Sequence, residues 1–169
     1  VLRRTLAIAA VVVTALLLQS TVFSELRLMG VRPELLFLIT ILLALIEGPD
    51  EGATVGFVGG LAQDFLLNQP KGITALTLTL VGYTVGRTRQ YISSPSPLVP
   101  TAVVAIATAA GISFYEIVSF LLGAFDQPLG YGVKVALLTS LYNAILTPIL
   151  YPLLRRISEG SRPRRVVRF

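Results

Sequence analysis

The sequence predicts an all-α, polytopic integral membrane protein: six transmembrane helices, with both termini on the cytoplasmic side. Three observations predict it. Hydrophobic residues make up 54% of the 169-residue chain and charged residues 14%, where a soluble domain carries roughly 25% charge. The mean hydropathy is +0.78, and the apolar residues come in long runs that a soluble core of this size could not hide but a bilayer can. Lysine and arginine are also unevenly placed. With the N-terminus inside, Arg3, Arg4, Arg87, Arg89 and the six arginines from Arg155 to Arg168 fall on inner segments, against Arg27, Arg32, Lys71 and Lys134 outside. That asymmetry is the positive-inside pattern.

The spans follow in order. The first covers about 5–24. Arg3 and Arg4 precede it, but its apolar run exceeds the ~7–15 residues of a signal-peptide core, so it is expected as a retained span. A polar link with Glu25, Arg27 and Arg32 leads to Pro33, suited to a helix start, and to a Leu/Ile-rich second span, about 33–47. Glu47-Gly48-Pro49-Asp50-Glu51 is a turn. The third span, about 51–67, is glycine-rich and carries Asp64. Asn68 to Gly72 is a second turn before the fourth span, about 73–90. Ser93 to Pro97 is the one plausible internal linker. The fifth span covers about 98–124, a loop runs from Asp126 to Gly132, and the sixth covers about 133–154, with Pro148 and Pro152 expected to kink its inner end. Residues 1–156 thus form the bundle and 157–169 a basic cytoplasmic tail suited to anionic lipid.

Composition excludes much chemistry. The chain has no cysteine and no histidine, which removes disulfides, thiol catalysis, zinc sites with those ligands and a histidine base. The net charge of +5 has no accompanying nucleic-acid motif. No phosphate-binding loop is present, since Gly56 to Gly60 lacks an adjacent Lys-Ser/Thr. No cofactor is expected.

Candidate functional residues lie inside the spans. Gly52, Gly56, Gly60 and Asp64 are spaced by four, so they fall on one helix stripe. Glycine there lets another helix approach closely, and a carboxylate on that stripe must face protein or a cavity. Gly82 and Gly86 repeat the spacing in the fourth span. Two readings stand for these stripes, packing within the bundle or contact with a partner. By helical rise, Gln19, Asp64 and Glu116 share the outer third of the membrane and are expected to form a polar layer. Asn143, nearer the middle, is a further intramembrane polar group and requires a partner such as a neighbouring helix carbonyl.

The runs Leu18-Gln19-Ser20-Thr21-Val22-Phe23 and Val31-Arg32-Pro33-Glu34-Leu35-Leu36, the stretch Gly52 to Asp64, Lys71-Gly72, Gly82-Tyr83, and Tyr142-Asn143 through Pro148 to Arg155-Arg156 together resemble the MreD family of rod shape-determining membrane proteins. The resemblance spans nearly the whole chain, excepting the Ser93–Pro97 linker and the arginine tail. It implies a non-enzymatic scaffold in the bacterial cytoplasmic (inner) membrane. Its partners would be MreC, through that protein's transmembrane helix and membrane-proximal region, and a wider elongation complex with MreB and the peptidoglycan synthases, so regulating wall synthesis and rod shape. It also implies similarity to the substrate-binding subunits of energy-coupling-factor transporters. The alternative function is a small-solute binding subunit of a transporter, with the outer polar layer lining its cavity.

Overall fold

The structure, a computed structural model, describes residues 2–25, 30, 31, 34–66, 72–91, 96, 98–124 and 128–160. The expected features at Arg27, Arg32 and Pro33, at Asn68 to Lys71, at Ser93 to Pro95, at Asp126 and in the tail from 161 onward lie outside the described residues. Those described are all-helical: α1 (Leu2–Glu25), α2 (Leu35–Glu47), α3 (Pro49–Leu66), α4 (Ile73–Thr88) with a 3₁₀ turn at Arg89–Tyr91, α5 (Leu98–Leu121) and α6 (Leu129–Gly160).

The second helix is the axis of the fold. Every residue from Leu35 to Ile46 is buried, and α2 contacts each of the other five α-helices. A helix that is apolar all round buries all round, and the Leu/Ile run leaves α2 no polar face to turn outward. With 13 residues it is about 20 Å long, shorter than the ~30 Å apolar core of a bilayer. Its end is set by Gly48, whose φ of +113° disfavours any residue with a Cβ and whose N–H donates to the Ala44 carbonyl at 2.9 Å. Pro49 then opens α3 at a position where no intrahelical donor is needed.

Consecutive helices alternate in direction. Gly52 meets Gly82, Gly56 meets Leu78 and Gly60 meets Ala75, so α3 and α4 are antiparallel. Thr108 meets Asn143 and Glu116 meets Gly132, so α5 and α6 are antiparallel as well. By contrast, α2 and α6 run the same way, because Glu34 pairs with Asn143 at one end and Glu47 with Ser158 at the other. The helix α6 continues through both Pro148 and Pro152 and passes the expected tail boundary, because Ser158 is buried and donates to the Glu47 carboxylate. Two helices, Leu98–Leu121 and Gly130–Gly160, are long and apolar enough to cross a membrane. Thr5–Thr21 and Leu35–Glu47 are shorter apolar segments.

The glycine stripes of α3 and α4 face each other. A Cβ on Gly60 would stand 2.6 Å from the Ala75 Cα, and one on Gly52 would stand 2.7 Å from the Gly82 carbonyl oxygen. Gly56 lies against the Leu78 backbone, Gly82 against Gly52, and Gly86 against Pro49. Backbone, which cannot swing aside, stands in the way in each case, joined at Gly52 by the Ala44 Cβ of α2 at 2.5 Å. Two helices in backbone contact gain dispersion along the whole seam.

Gly56→Leu or Gly60→Leu is therefore expected to lower stability by about 3 kcal/mol or more, read as loss of the monodisperse peak in mild-detergent gel filtration. Gly130→Ala, where nothing lies within 4 Å of the added Cβ, is expected to behave as the parent.

Candidate functional site

A buried polar node sits where α2 begins. The Gln19 Nε2 (α1) donates to the Glu34 Oε2 at 3.1 Å, and the Gln63 Nε2 (α3) donates to the same oxygen at 3.1 Å. Gln19 also accepts the Leu36 N–H on its Oε1 at 3.2 Å, so its amide clamps both the side chain that precedes α2 and an unpaired donor of its first turn. The Asn143 Nδ2 (α6) donates to the Glu34 backbone carbonyl at 3.4 Å and to the Thr108 Oγ1 (α5) at 3.3 Å. Four helices, α1, α2, α3 and α6, thus meet at Glu34, and Asn143 links α5 to them through Thr108. A carboxylate serves here because it accepts several donors at once without giving any back.

The remaining helix, α4, is tied by a second acid. Asp64, fully buried near the end of α3, accepts the Gly72 N–H at 2.8 Å and the Ala75 N–H at 3.3 Å on its Oδ2. It caps the N-terminus of α4 from another helix. Gly72 holds φ +98°, which favours glycine and carries no capping side chain, so the acceptor must come from elsewhere. The negative charge also faces the positive end of the α4 dipole. Tyr115 on α5 lies within electrostatic reach of both Asp64 and Glu34.

The residues singled out from sequence divide accordingly. Gln19 and Asn143 converge on Glu34. Asp64 stands next to Gln63 in the chain but serves α4 instead. Glu116 joins neither group: its carboxylate lies against the Gly132 backbone of α6, about 16 Å along α6 from Asn143 by helical rise. Gly52, Gly56, Gly60, Gly82 and Gly86 form the seam beside the node. Glu34, Gln63 and Thr108 went unremarked as site residues. Two of them carried a signal: Glu34 is an acid at the mouth of the most apolar run, and Gln63 precedes the intramembrane Asp64. Thr108, a hydroxyl inside a long span, carried none.

Five other hydroxyls follow a local rule, whereas those of Thr40, Thr77 and Thr139 are buried without a hydrogen-bond partner and Ser158 donates to Glu47. Thr14, Thr54, Thr79, Thr84 and Thr147 each donate to the carbonyl four residues back, at 2.6–2.7 Å, so none needs a neighbour. Among the described residues no group of three or more acidic, histidine or cysteine side chains is placed to hold a metal ion. A second feature is apolar. A groove of about 460 Å³ lies between α1 and α6, lined by residues that include Ala10, Thr14 and Leu18 of α1, Ile39 of α2, and Leu153 and Ile157 of α6.

The family model described as rod shape-determining protein MreD matches residues 2–158. The chain belongs to the MreD family. Membership links it to the determination of rod cell shape and to the membrane. Every member of the polar node and both glycine stripes fall inside the matched segment. Comparison with curated proteins and with solved structures returned no match, so the expected similarity to energy-coupling-factor subunits finds no support there.

Replacing Asp64 tests the cap. Asp64→Asn keeps an oxygen toward Gly72 and Ala75, whereas Asp64→Leu strands those N–H groups at a cost of about 1–3 kcal/mol. Thermal unfolding followed by circular dichroism should place Asp64→Leu clearly below Asp64→Asn. Equal melting of the two would contradict the capping role.

Proposed function

We propose that the chain is a non-enzymatic scaffold of the cell-elongation machinery, a six-span bundle of the cytoplasmic membrane that binds MreC and so helps regulate peptidoglycan synthesis. The observation that carries this reading is the inversion of polarity. Val133, Leu137, Leu141, Ile145, Ile149 and Leu153 of α6 form an exposed apolar stripe at spacing four, while Gln63, Asp64 and Asn143 are buried. Water would not tolerate that arrangement; lipid requires it. If each of the six alternating helices crosses the membrane, both termini lie on one side, which agrees with the arginine count.

Two further points favour a scaffold over a catalyst or a carrier. The polar groups that could do chemistry are committed to holding helices: Glu34 to α1 and α3, Asp64 to the start of α4. A solute site would need polar groups lining a cavity, and the cavity between α1 and α6 is apolar. The glycine faces expected to receive MreC are closed against one another, so a partner helix in this reading meets the outward surfaces of the bundle rather than the α3–α4 seam.

Both parts are testable. The chain has no native cysteine, so Gly130→Cys and Gly160→Cys, both exposed, report sidedness. An impermeant thiol reagent applied to intact spheroplasts should label the first and spare the second. Purification from native membranes in mild detergent should recover MreC. Recovery of a vitamin-like solute without MreC would replace scaffolding with transport.

A further inference from the structure

We propose that the polar node holds an alkali-metal cation, sodium or potassium, between the end of α3 and the middle of α6. The proposal goes beyond scaffolding and depends on no partner protein. Three observations carry it.

The first is a set of oxygens with nothing to accept. The Gln63 Oε1, Asp64 Oδ1, Asn143 Oδ1 and Thr139 Oγ1 atoms are buried, and none has a hydrogen-bond partner among the described residues. Gln63 is 1% exposed, and Asp64, Thr139 and Asn143 are 0% exposed. In three of the four, the other atom of the head group is already committed. The Gln63 Nε2 donates to Glu34, the Asp64 Oδ2 accepts two amides of α4, and the Asn143 Nδ2 donates to Glu34 and Thr108. Turning a head group to satisfy the free oxygen would break those bonds. Buried acceptors left unmet are costly, and lipid offers them no donor.

The second is convergence. Gln63 and Asn143 are both bonded to Glu34, and Asp64 follows Gln63 in the chain. Thr139 lies one turn before Asn143 on the same face of α6. Tyr115 lies two turns after Thr108 on the same face of α5, so it is turned toward the α6 face that Thr108 meets at Asn143. It is also within electrostatic reach of both Asp64 and Glu34. The end of α3 and the Thr139–Asn143 face of α6 thus look onto one space. Among the described residues α3 and α6 do not pack directly, and a cation would bridge them.

The third is the chemistry of the set. Carboxylate and amide oxygens of this kind are ligands of hard cations. A water has two hydrogens and could serve two of the four oxygens, whereas a cation serves all of them at once. Only Asp64 brings a formal charge, which matches one positive charge rather than two. Glu34 is engaged by the amides of Gln19 and Gln63 and is not counted as a ligand.

The test is thermal unfolding of the full chain in mild detergent, followed by circular dichroism, with sodium, potassium or choline chloride at equal ionic strength. Sodium or potassium should raise Tm along a single-site saturation curve, by about 5 °C at a hundredfold excess over Kd. Choline, too large for the site, should not. Asp64→Asn keeps an oxygen for Gly72 and Ala75 but sets an NH₂ group where Oδ1 stood, so the shift should vanish while the cap remains. Thr139→Val removes one oxygen at nearly constant volume and should weaken Kd at least roughly tenfold. Glu116→Gln, which removes a charge outside the node, should respond as the parent. Equal response to all three salts, the result for an ordered water in place of the ion, would overturn the proposal. So would an undiminished shift in Asp64→Asn. Should that variant not fold, Thr139→Val carries the test, and an unchanged Kd there overturns it.

Discussion

Glu34 is where four helices share hydrogen bonds, with a fifth joined through Asn143, and the rest of the bundle is arranged around that fact. In lipid, helices are not driven together by expulsion of water, since lipid tails are as apolar as leucine. What holds them is close packing and the satisfaction of polar groups that have no other partner. Glu34 stands at the start of α2, the one helix that every other helix touches. Its carboxylate draws in Gln19 and Gln63, and its carbonyl draws in Asn143, which brings Thr108. A single residue at the head of the central helix therefore sets the register of three neighbours directly and of α5 through Asn143.

The glycine seam and the node do different work. The seam fixes distance: α3 and α4 touch backbone to backbone from Gly52–Gly82 to Gly60–Ala75. The node fixes rotation and height. Asp64 couples the two, because it lies one step of four beyond Gly60 and accepts the first amides of α4. Sliding the seam by one turn would remove Asp64 from those amides. Packing thus supplies affinity between helices, and the buried polar bonds supply specificity. Helix α1 is the exception. Its C-terminal part is pinned by Gln19, while its earlier turns meet their neighbours through apolar contacts, and that is where the groove beside α6 opens.

Much of this was legible from the residues. The apolar runs located the helices, because length and hydropathy act locally. The spacing of Gly52, Gly56, Gly60 and Asp64 placed them on one stripe, because helical periodicity is geometry. Asn143 demanded a partner, because an amide in hydrocarbon must have one. The partners themselves were not legible. That Gln19 reaches Glu34 rather than Asp64, or that Glu116 stands apart against Gly132, depends on the relative heights of helices joined by loops of different length. The shortness of α2 was also hidden. Its apolar run reads like any span, and only the surrounding five helices show that its first residue is buried within the bundle.

The most direct test of the shared node is a double-mutant cycle between Gln19→Leu and Gln63→Leu, with stability measured by reversible unfolding in mixed micelles. The two side chains sit on different helices and meet only through one oxygen of Glu34. If that oxygen joins them, the double variant will depart from the sum of the singles by more than about 0.5 kcal/mol, and the departure will vanish in a Glu34→Leu background. Strict additivity, with Glu34→Leu leaving both single effects unchanged, would contradict it.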